Sequence, residues 1–466
     1  MLVKWRKLVK HTRLFGPGTA YREILKNRDY IFNAGIDIIP ISRNAKQRHG
    51  ASISPSDVTI SVIIPVKNGG SDLAALLEKL RQQRGFKAIE IVIVDSGSTD
   101  DSRAIAARFG ATIIDIAPEQ FSHSYSRNSG AEQAKGEYLL FIVQDALPPS
   151  ENWLHQLFTV MQPNDLAAVS CMETPRAGAD LFQRATSWNF YKFLEVDQQD
   201  RVMRRPRQEN PLTLRKNAQL SNVACLVRKD VFLKYRFRYD YAEDLDLGLR
   251  LLQDGHQLAL LNSVRIIHSH NRSEYYHLKR GYVDALFSSK IIPGQPVTVL
   301  APEALFQQII AAYSFVDTLV HKELAIVKTP CQVKRLSRLI MKKLPRFIHV
   351  QSCSGDISGS NQYITPQFRI FIENMKMQYT RLNGHSTAGS GTTIKEALQN
   401  NIMIIFNYLD KTSRFIDKEM LKDFKSSLYK IHAQVAGAHL AASYAFGSEK
   451  NRERLQDIHE ELTKGI

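Results

Sequence analysis

Apolar positions settle into a regular order at residue 60. Ile60-Ser-Val-Ile-Ile-Pro-Val66 predicts a short buried strand, and within 71–83 Leu73, Leu76, Leu77 and Leu80 recur on one helical face. Ile89-Glu-Ile-Val-Ile-Val94 predicts a second buried strand. A helix is expected over 99–109, with Ser98 as its cap and Asp101 three residues on. Residues 112–116 predict a third strand, 125–135 a helix and 137–143 a fourth strand. Further on, helices are expected at 152–161, 179–194 and 241–254, the last closed by Gly255, and strands at 258–261 and 264–268.

Strand and helix alternating four times predict a doubly wound, mostly parallel α/β sheet, Rossmann-like in layout. Right-handed crossovers put helices on both faces, and ligands bind outside the carboxyl ends of the strands. This domain is expected to span 60–290. Residues 1–59 form a basic N-terminal extension (Lys4, Arg6, Lys7, Lys10, Arg13) that joins it through a Pro55-containing linker. From about 295 the texture changes. Long stretches at 304–327 and 395–443 read as helical, and 352–360 and 383–393, rich in Ser, Gly and Thr, read as loops. Residues 295–466 are therefore expected to form a mainly helical module.

Composition narrows the function classes. The chain has 466 residues, 44% hydrophobic and 23% charged, enough for a sizeable core and ordinary for a folded protein. Its four cysteines, Cys171, Cys225, Cys331 and Cys353, form no CxxC pair and read as reduced thiols. No apolar stretch follows the basic N-terminus, and no window offers the ~20 apolar residues of a membrane span. The expected location is cytoplasmic. A net charge of +16 points to polyanions: nucleic acid, anionic lipid or diphosphate substrates.

Two predicted strands run into aspartate at the edge where ligands bind. Asp95 opens Asp-Ser-Gly-Ser-Thr-Asp100, and Asp145 follows Val143-Gln144. A carboxylate after the second strand suits a ribose or base edge; one after the fourth suits a divalent cation bridging phosphates. Each alone also serves as a turn or cap residue, and the pair together favours a site. Arg127, near a helix start in Phe121-Ser-His-Ser-Tyr-Ser-Arg-Asn128, offers a guanidinium for a diphosphate; a solvated helix arginine is the alternative. Glu243 and Asp244 stand in the first turn of the helix at 241–254, where the helix dipole favours carboxylates. Dipole stabilisation accounts for Glu243 and Asp246, whereas an ionised Asp244 facing a cleft is a candidate general base. His268 and His270 follow a strand two residues apart and are candidate metal or phosphate contacts, or a structural pair.

In this order the residues resemble glycosyltransferase family 2. Ser61-Val-Ile-Ile-Pro-Val-Lys-Asn68 and Val92-Ile-Val-Asp-Ser-Gly-Ser-Thr-Asp100 are similar to its nucleotide-binding start, and the likeness covers about 60–290. The resemblance implies a GT-A fold, inversion at the anomeric carbon and a divalent cation, Mg²⁺ or Mn²⁺. Pro65, Val66 and Asp95 would surround base and ribose; Gln144 and Asp145 would stand at the DxD motif on the donor; Asp244 would be the catalytic base. The motif keeps only its second carboxylate, so either His268 or His270 would complete the metal set or the donor phosphates would hold most of the metal. Gln144-Asp-Ala146, Phe121-Ser-His-x-x-x-Arg-Asn128 and His268-Ser-His-Asn271 resemble the rhamnosyltransferase-type members, which use dTDP-rhamnose. The partners implied are a nucleotide-sugar donor and a saccharide or lipid-linked acceptor.

Across 330–345, Val333, Leu336, Leu339, Ile340 and Leu344 form an apolar stripe flanked by Lys334, Arg335, Arg338, Lys342 and Lys343. Such a helix either lies on an anionic membrane surface or packs on the protein with its basic face in water. Rival functions are a catalytically inactive GT-A scaffold and a basic nucleic-acid-binding protein. Helix-turn-helix, zinc and RNP-like patterns are absent, so no nucleic-acid partner is expected.

Overall fold

The computed structural model describes residues 57–292, 294–295, 297–343, 361–382 and 393–465. Nearly all of the expected N-terminal extension and of the loops at 352–360 and 383–393 lie outside these residues, as does Leu344.

The first half alternates as follows: β1 Thr59–Val66, α1 Gly70–Arg81, β2 Ala88–Asp95, α2 Ser102–Arg108, β3 Thr112–Asp115, α3 His123–Gln133, β4 Tyr138–Ile142, α4 Trp153–Met161 and β5 Leu166–Thr174. Then come α5 Leu181–Phe193, β6 Arg201–Met203, α6 Pro211–Asn217, β7 Ala224–Arg228, α7 Lys229–Tyr235, α8 Glu243–Gln253 and β8 Gln257–Ile267. All eight strands join one sheet in the order β3-β2-β1-β4-β7-β5-β8-β6. β7 and β6 run against their neighbours, and the other strands share one direction. The sheet is thus mixed but mostly parallel.

Strand pleat explains why the first strands are apolar throughout. Val62 and Ile64 face α1, α2 and α4, while Ile63 faces the opposite layer with α3 and α8. α1 buries Leu73, Leu76, Leu77 and Leu80, the predicted face. Ser98 does not cap α2: its hydroxyl is bonded to Asp95, and Asp101 holds the cap position. The strands predicted at 258–261 and 264–268 are one strand, β8, interrupted by an irregularity against β5. There Asp200 accepts hydrogen bonds from the Asn262 and Ser263 amides at 2.8 and 2.7 Å.

The rest of the described chain is helical apart from a two-stranded pair: α9 Glu274–Ile291, α10 Pro302–Thr318, β9 Cys331–Gln332, α11 Val333–Lys343, α12 Pro366–Arg381, α13 Thr393–Thr412, β10 Phe415–Ile416, α14 Lys418–Phe446 and α15 Glu449–Thr463. Their core is continuous with Leu181, Phe182 and Ala185 of α5 and with Leu278, Tyr282 and Leu286 of α9, so the helical layer draws on both sides of residue 290. In α11, Val333, Leu336 and Ile340 are buried in this core while Lys334, Arg335, Arg338 and Lys342 are exposed. The apolar stripe packs on the protein. Among the described residues no helix is long and apolar enough to cross a membrane.

α9 and α14 pack backbone to backbone. A Cβ on Gly437 would strike the Leu278 carbonyl oxygen, and one on Gly281 the Gln434 carbonyl oxygen. Gly437→Val should therefore lower stability by ~3 kcal/mol or more, through overpacking against rigid backbone. Gly178→Ala, where a Cβ meets open space, should change it by less than ~0.5 kcal/mol. Denaturant midpoints of the two variants check this.

Candidate active site

Parallel neighbours bring several strand ends to one edge. Val66 and Asp95 are cross-strand partners at the ends of β1 and β2. β1 and β4 are adjacent where the chain order reverses, which makes a crevice between the loops that follow them. The Gln144 side chain bridges that crevice: the Lys67 amide donates to its Oε1 at 3.0 Å, and its Nε2 donates to the Lys67 carbonyl at 3.3 Å. Asp95 is buried, accepts from the Ser98 amide at 3.1 Å and hydroxyl, and lies 3.5 Å from Arg103. Asn68 ties the two loops together, its amide donating to the Ser98 hydroxyl and its Oδ1 accepting from the Thr99 amide.

Beyond β4, three predicted residues meet. The Asp145 carboxylate lies 3.2 Å from His270 Nε2 and 3.6 Å from His268 Nε2, and the two Nε2 atoms are 3.2 Å apart. One donor atom from each lies within 4.8 Å of the others. The second nitrogen of His268 is held by Glu173 at 2.8 Å, which aims Nε2 at the cluster. Glu173 is positioned in turn by the Tyr191 hydroxyl at 3.2 Å. Burial disfavours charge on His268, but the hydrogen bond and charge of Glu173, with Asp145, outweigh it and raise its pKa. His270 is shifted down, first by burial and then by its charged neighbours, although Asp145 opposes this.

The second half of the site is built by β7. Because this strand is reversed, its amino end lies at the same edge, and Asn222 just before it reaches the start of α8. The Asn222 amide donates to Asp244 Oδ2 at 3.3 Å, and its side chain donates to Glu243 Oε1 at 2.8 Å. The Leu245 amide donates to Asp244 Oδ1 at 2.7 Å. Glu243 also pairs with Arg127 at 3.2 Å, both side chains being buried. Burial pushes the Asp244 carboxyl up to about 6; the Glu243 carboxylate adds to this, and the two amides and Arg127 only partly oppose it. Burial and Arg127 together push His123 down to about 4, leaving it neutral.

The expected clamp residue is thus placed differently from the sequence reading. Arg127 is 4% exposed, and its guanidinium is held by Glu243 and by the His123 carbonyl at 3.0 Å. Proximity to a helix start carried no information on burial. Asp246 is structural, paired with Arg238 and Arg250 at 2.7 Å each. Sequence reasoning missed Glu173, Arg176 and Asn222. Glu173 and Arg176 flank the end of a strand that had not been recognised, and a strand ending at the ligand edge is the signal that would have found them.

Residues 61–235 match the sequence profile of glycosyl transferase family 2. This segment belongs to glycosyl transferase family 2. Its mostly parallel sheet is the GT-A fold, and the protein is a glycosyltransferase. It is similar to the O-antigen chain rhamnosyltransferase WbaN of Salmonella anatum, 25% identical over 234 residues that cover 49% of this chain and 72% of that protein. It is also similar to the O-antigen chain rhamnosyltransferase RfbN of Salmonella typhimurium, 24% identical over the same shares. Among solved structures, a mannosyltransferase from Pyrobaculum calidifontis in complex with GDP-Man and Mn2+ is 14% identical, with a TM-score of 0.43 over 88% of this chain and 98% of that one.

The setting of Asp244 in this glycosyltransferase has a measurable consequence for stability. Its folded-state pKa of about 6 lies above the ordinary 3.8. The native state therefore favours the protonated form, and stability falls as pH rises from about 4 through about 6. At pH 7.5 the full cost of about 1–3 kcal/mol applies, since each tenfold change in the acid dissociation constant corresponds to roughly 1.4 kcal/mol. Asp244→Asn should raise the Tm at pH 7.5 by a few degrees, and the difference should vanish below pH 4. Equal melting temperatures at pH 7.5 would refute the strained carboxylate.

Proposed function

We propose that this glycosyltransferase moves rhamnose from dTDP-rhamnose to a saccharide or lipid-linked saccharide acceptor in cell-surface polysaccharide synthesis, inverting the anomeric centre. The observation that carries the mechanism is a half-buried Asp244 whose carboxyl titrates near 6, at the same sheet edge as the Asp145, His268 and His270 cluster. The relatives' names and the segments 121–128, 144–146 and 268–271 support the sugar.

Asp244 accepts the proton of the acceptor hydroxyl as that oxygen attacks the anomeric carbon. The bond to the diphosphate breaks, and the nucleoside diphosphate leaves with the electron pair. A base poised near working pH suits this role, and the Asn222 and Leu245 amides fix its orientation. Pro65, Val66 and Asp95 bind base and ribose. Asp145, His268 and His270 would hold a divalent cation. A carboxylate with two imidazoles, one backed by Glu173, fits Mn²⁺ better than Mg²⁺, which prefers an all-oxygen shell. Such an ion supplies charge neutralisation on the leaving diphosphate.

Purified protein with Mn²⁺ should release nucleoside diphosphate slowly from one sugar nucleotide of a panel. Asp145→Ala should abolish that release. Asp244→Asn should keep nucleoside diphosphate binding but lose transfer by ~10²-fold or more, and wild-type kcat should fall on the acid side with a midpoint at about pH 6. Normal turnover by Asp244→Asn would end the base assignment. A folded protein that binds no donor would favour the inactive-scaffold reading.

The location proposed is cytoplasmic and peripheral to the membrane. With the apolar stripe of α11 packed inward, Lys334, Arg335, Arg338 and Lys342 are left for an electrostatic contact, worth about 1 kcal/mol per basic residue at an anionic surface. Flotation with anionic vesicles should be lost on replacing these four by glutamine, and binding by neutral vesicles alone would contradict the reading.

A further inference from the structure

A second guanidinium, that of Arg176, stands at this edge. It follows β5 by two residues, in the Pro175–Ala179 connection to α5. It reaches Asp145. Nη1 lies 3.5 Å from Asp72, Nη2 lies 4.0 Å from the Asp145 carboxylate, and Nη2 also donates to the Asp145 backbone carbonyl. The side chain is 32% exposed, against 5% for Arg127, so a ligand entering the crevice can touch it. Its Nε is buried without a hydrogen-bond partner, so the exposed part of the side chain is the Nη end.

The connection that carries Arg176 is pinned at many points. The Arg176 amide donates to the Ser269 hydroxyl at 2.9 Å, between the two histidines. Asn271 donates to the Gly178 carbonyl and accepts from the Asp180 amide, both at 2.8 Å. The helical layer holds the other end. Lys430 of α14 pairs with Asp180 at 2.5 Å, and Asp423 of the same helix accepts from the Leu181 amide at 2.7 Å. Lys430 and Asp180 are both largely buried, so their pairing fixes the loop rather than decorating the surface.

Resting on the glycosyltransferase reading above, we propose that Arg176 binds the diphosphate of the nucleotide-sugar donor, and that α14 positions it through Asp180 and Asp423. Several carboxylates face this edge, and a diphosphate brings further negative charge. A guanidinium within 4.0 Å of Asp145 supplies the compensating cation. Its planar fork matches two phosphate oxygens at once, which a lysine cannot do. The helical layer thereby acts on donor binding without contributing a residue that touches donor.

The test is calorimetric titration of the full chain, in the presence of Mn²⁺, with a nucleoside diphosphate and with the matching nucleoside. Arg176→Ala should weaken diphosphate binding about 10- to 100-fold, the scale of losing charged hydrogen bonds, and leave nucleoside binding within about twofold. Arg176→Lys should recover part of the loss. Lys430→Met should weaken the diphosphate in the same direction, and the Arg176→Ala, Lys430→Met double variant should be no weaker than Arg176→Ala alone. Unchanged diphosphate affinity in a folded Arg176→Ala protein overturns the role of Arg176. Additive losses in the double variant overturn the positioning by α14. A wild-type chain that binds no nucleoside diphosphate overturns the donor reading itself, and this one with it.

Discussion

β7 runs against both β4 and β5, and that reversal divides the site in two. On the parallel side, strands end at the ligand edge and hand over Asp95, Asp145 and His268. On the reversed side, a strand begins there, and the residue before it, Asn222, meets the first turn of α8. Were β7 parallel, its amino end and Asn222 would lie at the far edge. Both halves also face the constraint that a buried or half-buried carboxylate needs partners. Asp145 has imidazoles and the Arg176 guanidinium around it, Glu243 has Arg127 and Asn222, and Asp244 has two backbone amides.

Those surroundings give two similar side chains opposite characters. Asp145 faces groups that carry or accept positive charge, a setting for a cation ligand. Asp244 faces another carboxylate and few compensating charges, a setting in which taking up a proton relieves the local field. Two carboxyl groups set apart by environment are a recurring way to divide acid–base work from electrostatic work. Arg127 belongs to this division, because its guanidinium pairs with the buried Glu243 next to Asp244.

The parallel half was legible because its signals are local. β1, β2 and β4 are apolar runs ended by turn residues, and Asp95 and Asp145 follow from where those runs stop. Two later strands were not, since Leu166-Ala-Ala-Val-Ser-Cys-Met172 of β5 reads equally as strand or helix, and the reversed β7 runs straight into a helix at Lys229. Asp244 could be named only by its place among other motifs. Its partners are set by contacts across 22 residues to Asn222, and those of His268 by one across 95 to Glu173. The burial of Arg127 is of the same kind: its depth depends on α8, more than a hundred residues away.

The helical layer follows the same rule at larger scale. Its own sequence carries no catalytic pattern, and its amphipathic α11 reads on its own either as a membrane element or as a helix packed on the protein. Packing decides for the second as far as the apolar face goes, because Val333, Leu336 and Ile340 find a core already made by the neighbouring helices. What the layer adds to the site is then transmitted by backbone placement. The close approach of α9 and α14 at Gly281 and Gly437 fixes α14 against the helix that directly follows the His268-Ser-His270 segment, and the same α14 holds Asp180 and the Leu181 amide. Histidines and Arg176 loop are therefore referenced to one rigid pair of helices, which is a physical reason for the two to keep a constant separation.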